Sequence, residues 1–326
     1  SGGKSRGPVE EVYTQINSDL NDALEKFEAS GKRQAHPSHI DIYIASAIKA
    51  NVALVQNKWD LAAEYAKKAL SKKGLSLTSG DDLFTGFNNR NMKGVLWASE
   101  VIADQSGIYA SFFAHMDARA DRYARSSRKC IYNWLYNQID DKDIRKQWWN
   151  GPQEGEGNAG KPYNQHKFQY SSIETDLGDY IYMRADEMQL VLAEALCHDG
   201  KYTEAKDALM KLLKLRYNDD YDLNQHPVHN AEMSNENRMR SIGQAETLMD
   251  HILLQRRIEL WGEAERIFDI QRLKMGFDRN ASDSNHSRIN VGFDTTVPGS
   301  KEFILTIPQK EFDGNPNMGP EDQNPM

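Results

Sequence analysis

Two stretches of this 326-residue chain carry the same short pattern, and that pattern leaves few folds open. Ala50, Lys58, Trp59 and Ala62 return 143 residues later as Ala193, Lys201, Tyr202 and Ala205. In the first copy, helical periodicity runs from about Ser38 to Gln56 and again from Trp59 to about Lys72. Only Asn57 and Lys58 separate the two runs, so the helices must return antiparallel to one another. Ala62, Ala63, Ala66 and Ala69 line the returning helix, and side chains that small let helix axes approach closely. The second copy reads as a helix from about Met183 to Asp199, the turn Gly200-Lys201, and a helix from Tyr202 to about Tyr217.

An aromatic residue just after the turn with an Ala three positions on is the tetratricopeptide-type helical hairpin. The spacing of the copies is not a multiple of the usual period of about 34 residues, so they are separate hairpins and not a continuous solenoid. Before the first, Pro8 suits the first turn of a helix, and Val9–Ala29 aligns Val12, Ile16, Leu20, Leu24 and Phe27 on one face. Between the copies, Gly, Asn and aromatic residues are frequent and helical periodicity is weak outside Ser127–Ile139. Val95–Ile102 reads as a strand or a short helix, Gln165–Tyr170 as a short strand, and Asn150–Gly160 as a Gly-rich loop. Gln225–Ala245 and Asp278–Ser287 read as polar loops, and Phe303–Pro308 as an extended piece.

Ile252–Lys274 reads as one helix of about six turns with ordered charges. Arg256, Glu259, Glu263 and Arg266 fall in one stripe, continued by Asp269 and Arg272 and bordered by Leu253, Leu260 and Ile267. Charges hemmed in by apolar side chains need partners, so the stripe is read as a row of buried ion pairs. A net charge of −8 without a long basic run argues against a nucleic-acid partner. No apolar run reaches the 18 residues of a membrane-crossing helix. Cys130 and Cys197 both sit among helical apolar residues and are read as core thiols, not as a disulfide.

Several segments, in order, resemble one family. MRADEMQLVLAEAL (Met183–Leu196), QRRIELWGEAERIFDIQR (Gln255–Arg272) and the ending LTIPQKEFDGNPNMGPEDQNP (Leu305–Pro325) are similar to motifs of the SusD/RagB-like outer-membrane nutrient-binding proteins. LYNQIDDKDIRKQWW (Leu135–Trp149) and the opening helix with its hairpin resemble further parts of the same pattern. The resemblance implies a mainly α fold, with tetratricopeptide-like hairpins as scaffold and a loop-rich, aromatic, partly irregular ligand-facing region. It implies one domain over 1–326: a hairpin region at 8–73, a loop-rich insert at 74–179, a hairpin and motif helix at 180–275, and an extended tail at 276–326. The motifs place Ser1 well inside the family pattern, so the family's N-terminal part and its lipid-anchored Cys would lie outside this chain. The implied function is non-catalytic binding of oligosaccharide, or in some members peptide, at the cell surface of the outer membrane. The implied partners are a glycan ligand and a SusC-like TonB-dependent transporter. A tetratricopeptide-like protein-interaction scaffold is the alternative. The stripe would then lock its helix onto Arg184, Glu187 and Glu194 of the other motif helix.

Sugars present apolar C–H faces to aromatic rings and hydroxyls to polar side chains. Trp148 and Trp149 stand at the edge of the Gly-rich loop, with Asn158 and Tyr163 beyond, and these four are the candidate ligand contacts. Read as a strand, adjacent tryptophans face opposite ways, so one would be core and the other open to ligand. Tyr132 and Tyr136, Trp59 and Trp261 are read as core; Trp97 stays undecided. Glu259 and Glu263 lie at a spacing that glycoside hydrolysis could use. Arg256 and Arg266 flank them, which depresses a carboxyl pKa and removes the general acid. His226 and His229 lack the ligand count of a zinc site, and Asp278–Asn285 lacks the Gly and terminal Glu of a calcium loop. Neither a catalytic residue, a metal nor a cofactor is expected.

Overall fold

The computed structural model describes residues 3–32, 34–107, 109–223, 229–234, 245–263, 265–276, 284–286 and 303–324. The fold is mainly helical. The opening helix α1 (Val9–Ser30) leads to a first hairpin, α2 (Ile42–Val55) and α3 (Trp59–Leu70). Asp41 caps α2, its Oδ1 accepting from the amides of Tyr43 and Ile44 at 3.0 and 2.9 Å. Lys72 Nζ, just past α3, lies 3.0 Å from the same carboxylate and so closes the hairpin at its open end. Short helices α4 (Phe112–Met116) and α5 (Asn133–Asn137) lie in the insert. The second hairpin is α6 (Ala185–His198) and α7 (Tyr202–Arg216), followed by α8 (Leu248–Glu259) and α9 (Glu265–Arg272), with α10 (Gln309–Gly314) in the tail.

Ala50, Ala62, Ala193 and Ala205, the repeated positions, are all fully buried. Small side chains there let α3 and α7 both press on α6, which also packs on α8. Every residue of α6 from Ala185 to Cys197 is buried, so this helix is the axis of the first core. A second core gathers Phe87, Phe113, Ile131, Leu135, Trp148, Trp149 and Phe168 from the insert. Arg6 donates to the Asp322 carbonyl and to Asn324 Oδ1, both at 2.7 Å, joining the first residues to the tail.

Five readings of the sequence change. The helix expected from Met183 starts at Ala185, because Tyr180–Arg184 forms strand β2, antiparallel to β1 (Val95–Ser99). The helical pattern over Ser127–Ile139 yields only α5: Ile131 N donates to Tyr163 O and Gln165 N to Lys129 O, which draws that backbone into bridges instead. Those bridges, Cys130 with Asn164 and Trp149 with Gln165, replace the strand expected at Gln165–Tyr170. Cys197 is a buried free thiol, but Cys130 is free and exposed, not in the core. The Gln225–Ala245 and Asp278–Ser287 loops lie mostly outside the described residues.

The fifth change concerns Ile252–Lys274, which is two helices and not one. The backbone turns at Gly262, whose φ of +79° an L side chain rarely adopts. A Cβ there would also stand 2.6 Å from the Phe168 ring. In a continuous helix the Glu259 carbonyl would accept from Glu263 N. Here Glu263 N turns to Leu260 O, and the Glu259 and Trp261 carbonyls accept from Lys167 Nζ at 2.6 and 3.0 Å. A buried ammonium satisfies the carbonyls released by the break.

Candidate functional site

The charged stripe meets its partners in the interior, where the two cores join. Fully buried Glu259 accepts from Arg145 (3.1 Å), Arg184 (3.1 Å) and Arg216 (2.9 and 3.0 Å). Asp186 accepts from Arg184 at 2.8 Å, Arg216 at 2.6 Å and the Thr78 hydroxyl at 2.6 Å. Glu263 takes Arg184 at 2.7 Å and Lys167 at 2.5 Å, and Asp143 is chelated by Arg145. Four carboxylates thus face four cations, and the hub is neutral as a whole. Burial alone would push the Glu259 carboxyl up, but the Arg216, Arg184 and Arg145 guanidiniums hold it well below the usual range. Burial lowers Lys167 to about 8.

A second cluster continues along α9. Glu194 lies between Arg272 (2.6 and 2.9 Å) and Arg256 (3.4 Å), and Asp269 contacts both arginines at 3.2 and 2.7 Å. Glu187 accepts from Asn51 Nδ2 at 2.6 Å, while Arg266 is half-buried. Glu259 and Glu263, the pair at glycosidase spacing, are both held ionised by guanidinium groups, so neither offers a proton. Among the described residues no group of three His, Cys, Asp or Glu side chains could hold a metal ion; His226 lies outside them.

The expected tryptophan platform is not open. Residues Ile144–Trp148 form a 3₁₀ turn capped by Asp143, so the alternation of a strand does not apply. Trp148 and Trp149 are 1% and 3% exposed and pack edge to face, with Trp149 also edge-on to Trp261. Trp148 Nε1 donates to Leu83 O at 2.7 Å. Asn158 and Tyr163 are half-buried, Tyr163 edge-on to Tyr136. Tyr132 is buried, while Tyr136, Trp59 and Trp261 are only half-buried against the cores.

Exposed rings gather elsewhere, around α4. Ser111 caps this helix by accepting from Ala114 N at 3.2 Å. Phe113, Ala114 and Met116 turn inward, leaving Phe112 39% exposed and His115 half-buried. His115 stacks on Tyr123 with centroids 4.4 Å apart and planes 20° from parallel, and Tyr109 meets Tyr123 edge-on at 5.8 Å. Tyr109 and Tyr123 are 61% and 44% exposed. Polar groups rim the rings: Arg122 grips Asp176 through two bonds at 3.1 and 3.0 Å, and Arg125 pairs with Asp121 at 2.5 Å. The sequence reading missed these rings because they follow no period; the one signal was the density of rings in YASFFAHMDARADRY (Tyr109–Tyr123).

No curated protein matches the chain. Solved structures do: a SusD-like carbohydrate binding protein from Bacteroides vulgatus is 24% identical with a TM-score of 0.79, over 100% of this chain and 68% of that one. A SusD superfamily protein from Bacteroides thetaiotaomicron is 22% identical with a TM-score of 0.72, over 99% and 68%. NanU of B. fragilis is 17% identical with a TM-score of 0.69, over 99% and 71%. The chain spans about two thirds of the length of these relatives, and at such identities the likeness is one of fold. The sequence model of the SusD family matches residues 71–326, which takes in the insert, the second hairpin, the charge hub and the tail, and the chain belongs to that family.

Proposed function

We propose that this protein binds a glycan without converting it, and that the rings around α4 are where the sugar lies. The observation that carries the reading is the pair Tyr109 and Tyr123, exposed and in ring contact, with His115 stacked on Tyr123, exposed Phe112 on the same short helix as His115, and Arg122 and Asp176 at the rim. Ring faces take the C–H side of a pyranose, while guanidinium and carboxylate groups match its hydroxyls. The carbohydrate-binding relative of the same fold supports this ligand class. Family membership supports a place at the outer-membrane cell surface and delivery of the ligand to a SusC-like TonB-dependent transporter. Among the described residues no helix is long and apolar enough to cross a membrane. A pure protein-interaction scaffold fits less well, because α6 is buried on every side inside the hairpin layer.

Native gels cast with starch, xylan, galactomannan, pectin or chondroitin sulfate test the reading. Retardation by at least one polysaccharide is expected, reduced tenfold or more by Tyr123→Ala. Release of reducing sugar, or retardation indifferent to Tyr109→Ala and Tyr123→Ala, would overturn it.

A further inference from the structure

Where α3 ends, the first core is not fully covered. Leu70, Leu75 and Leu77 pack against that core yet stay half-buried, and with Gln189 and Leu192 of α6 they line a cleft of about 370 Å³. That volume lies within the range of small-molecule sites, roughly 300–1,000 Å³. The segment that carries Leu75 and Leu77 is held by its backbone. Ser76 N donates to Lys93 O at 3.1 Å, and Thr78 N donates to the buried Asp186 carboxylate at 3.1 Å. The apolar wall is therefore in place before any ligand arrives.

Three polar side chains give the cleft a chemical preference. Gln189 is only 4% exposed. Its Nε2 donates to the Ala208 carbonyl at 2.7 Å, which fixes the amide's orientation, because a carbonyl can only accept. Among the described residues nothing donates to its Oε1. An unused acceptor set in an apolar lining selects a ligand that brings a donor. Lys67 and Lys211 add positive charge and are both exposed. Lys67 lies 3.9 Å from Glu204 in a solvated pair, and Lys211 makes no ion pair among the described residues. Ala208 and Lys211 are three apart on α7 and so are surface neighbours, which sets the Gln189 amide near the charged rim. An anionic head with a hydroxyl beside it, on a short aliphatic tail, answers all of these groups. We propose that the cleft binds a medium-chain β-hydroxy carboxylate, with the leucines around its tail, Gln189 Oε1 accepting from its hydroxyl, and Lys67 and Lys211 toward its carboxylate. The cleft shares no lining residue with the rings around α4, so the proposal is independent of the glycan reading.

Calorimetric titration of the whole chain with β-hydroxydecanoate, kept below micelle formation, tests this. A single site per chain is expected. Decanoate, which lacks the hydroxyl, should bind about fivefold more weakly. The methyl ester of β-hydroxydecanoate, which lacks the charge, should bind about tenfold more weakly. β-Hydroxybutyrate, which lacks the tail, should give no measurable heat. The double variant Lys67→Gln, Lys211→Gln should bring the acid down to the affinity of its ester. Gln189→Met, checked for a cooperative melt, should erase the preference for β-hydroxydecanoate over decanoate and leave decanoate binding in place. Tyr123→Ala should change none of these values. An ester that binds as tightly as the acid, decanoate equal to β-hydroxydecanoate in the parent, or several sites per chain in the manner of a detergent would overturn the proposal, whether or not the Gln189 variant folds.

Discussion

Glu259→Gln is the sharpest perturbation of the scaffold, because it removes a charge and keeps the shape. Arg145, Arg184 and Arg216 would then share only Asp143, Asp186 and Glu263, and one uncompensated positive charge would be buried where side chains are 0–1% exposed. Breaking a buried pair by removing one partner costs roughly 3–5 kcal/mol. At about 2 °C per kcal/mol for a chain of this size, that is a fall of roughly 6–10 °C in Tm. The control is Glu174→Gln, an exposed carboxylate, expected to stay within about 0.5 kcal/mol of the parent. Because the folded state holds the Glu259 carboxyl low, its contribution is present above the unfolded value of about 4.3 and is lost as pH falls through the folded value. The gap between parent and variant should therefore be full at pH 7 and shrink in acid below about pH 4. Chemical denaturation at pH 7 and pH 3 measures both. A Glu259→Gln protein as stable as the parent at pH 7 would refute the argument that this hub carries the fold.

Other consequences follow from single positions. Gly262→Ala should cost about 1–3 kcal/mol, since φ is +79° and the new Cβ would meet Phe168; thermal melts read it, and an unchanged Tm would deny the strain. His198 stacks on Trp59 at 3.9 Å and sits between Glu194 and Glu232. Burial lowers its pKa, but the two carboxylates outweigh this and raise it to about 9. Its charged contribution is thus whole below about 6.5 and lost as pH rises through about 9, so the stability gap to His198→Gln should close by pH 10. Trp149→Ala should destabilise by roughly 3–5 kcal/mol as a core truncation, whereas Trp149→Phe should fold and bind glycan as the parent does; weakened binding in that folded variant would return Trp149 to the ligand site.

The hairpins were legible because their signal is local: alanines at helical spacing and a two-residue turn leave one arrangement, and Ala50, Ala62, Ala193 and Ala205 are all buried accordingly. The helix break at Gly262 was not, since apolar and charged residues keep their 3.6-residue period straight across it. The Phe168 ring and the Lys167 ammonium that meet the turn come from nearly a hundred residues away. The charges of the stripe announced that they needed partners, but not which. Arg145 and Arg216 arrive from a 3₁₀ turn and from the end of α7, and Glu187 also takes a bond from Asn51. Trp148 and Trp149 drew attention as a conspicuous pair, yet large apolar rings are as useful to a core as to a ligand. The exposed rings around α4 come from an insert with no period, and tertiary structure assembles them.

The central claim is that sugar lies on the rings around α4. A crystal structure of the protein with a bound six-unit oligosaccharide tests it most directly. The account predicts sugar rings against Tyr109 and Tyr123, with hydroxyls near Arg122 and Asp176. Well-ordered sugar seated on another face, with the Tyr109 and Tyr123 rings bare, would contradict it.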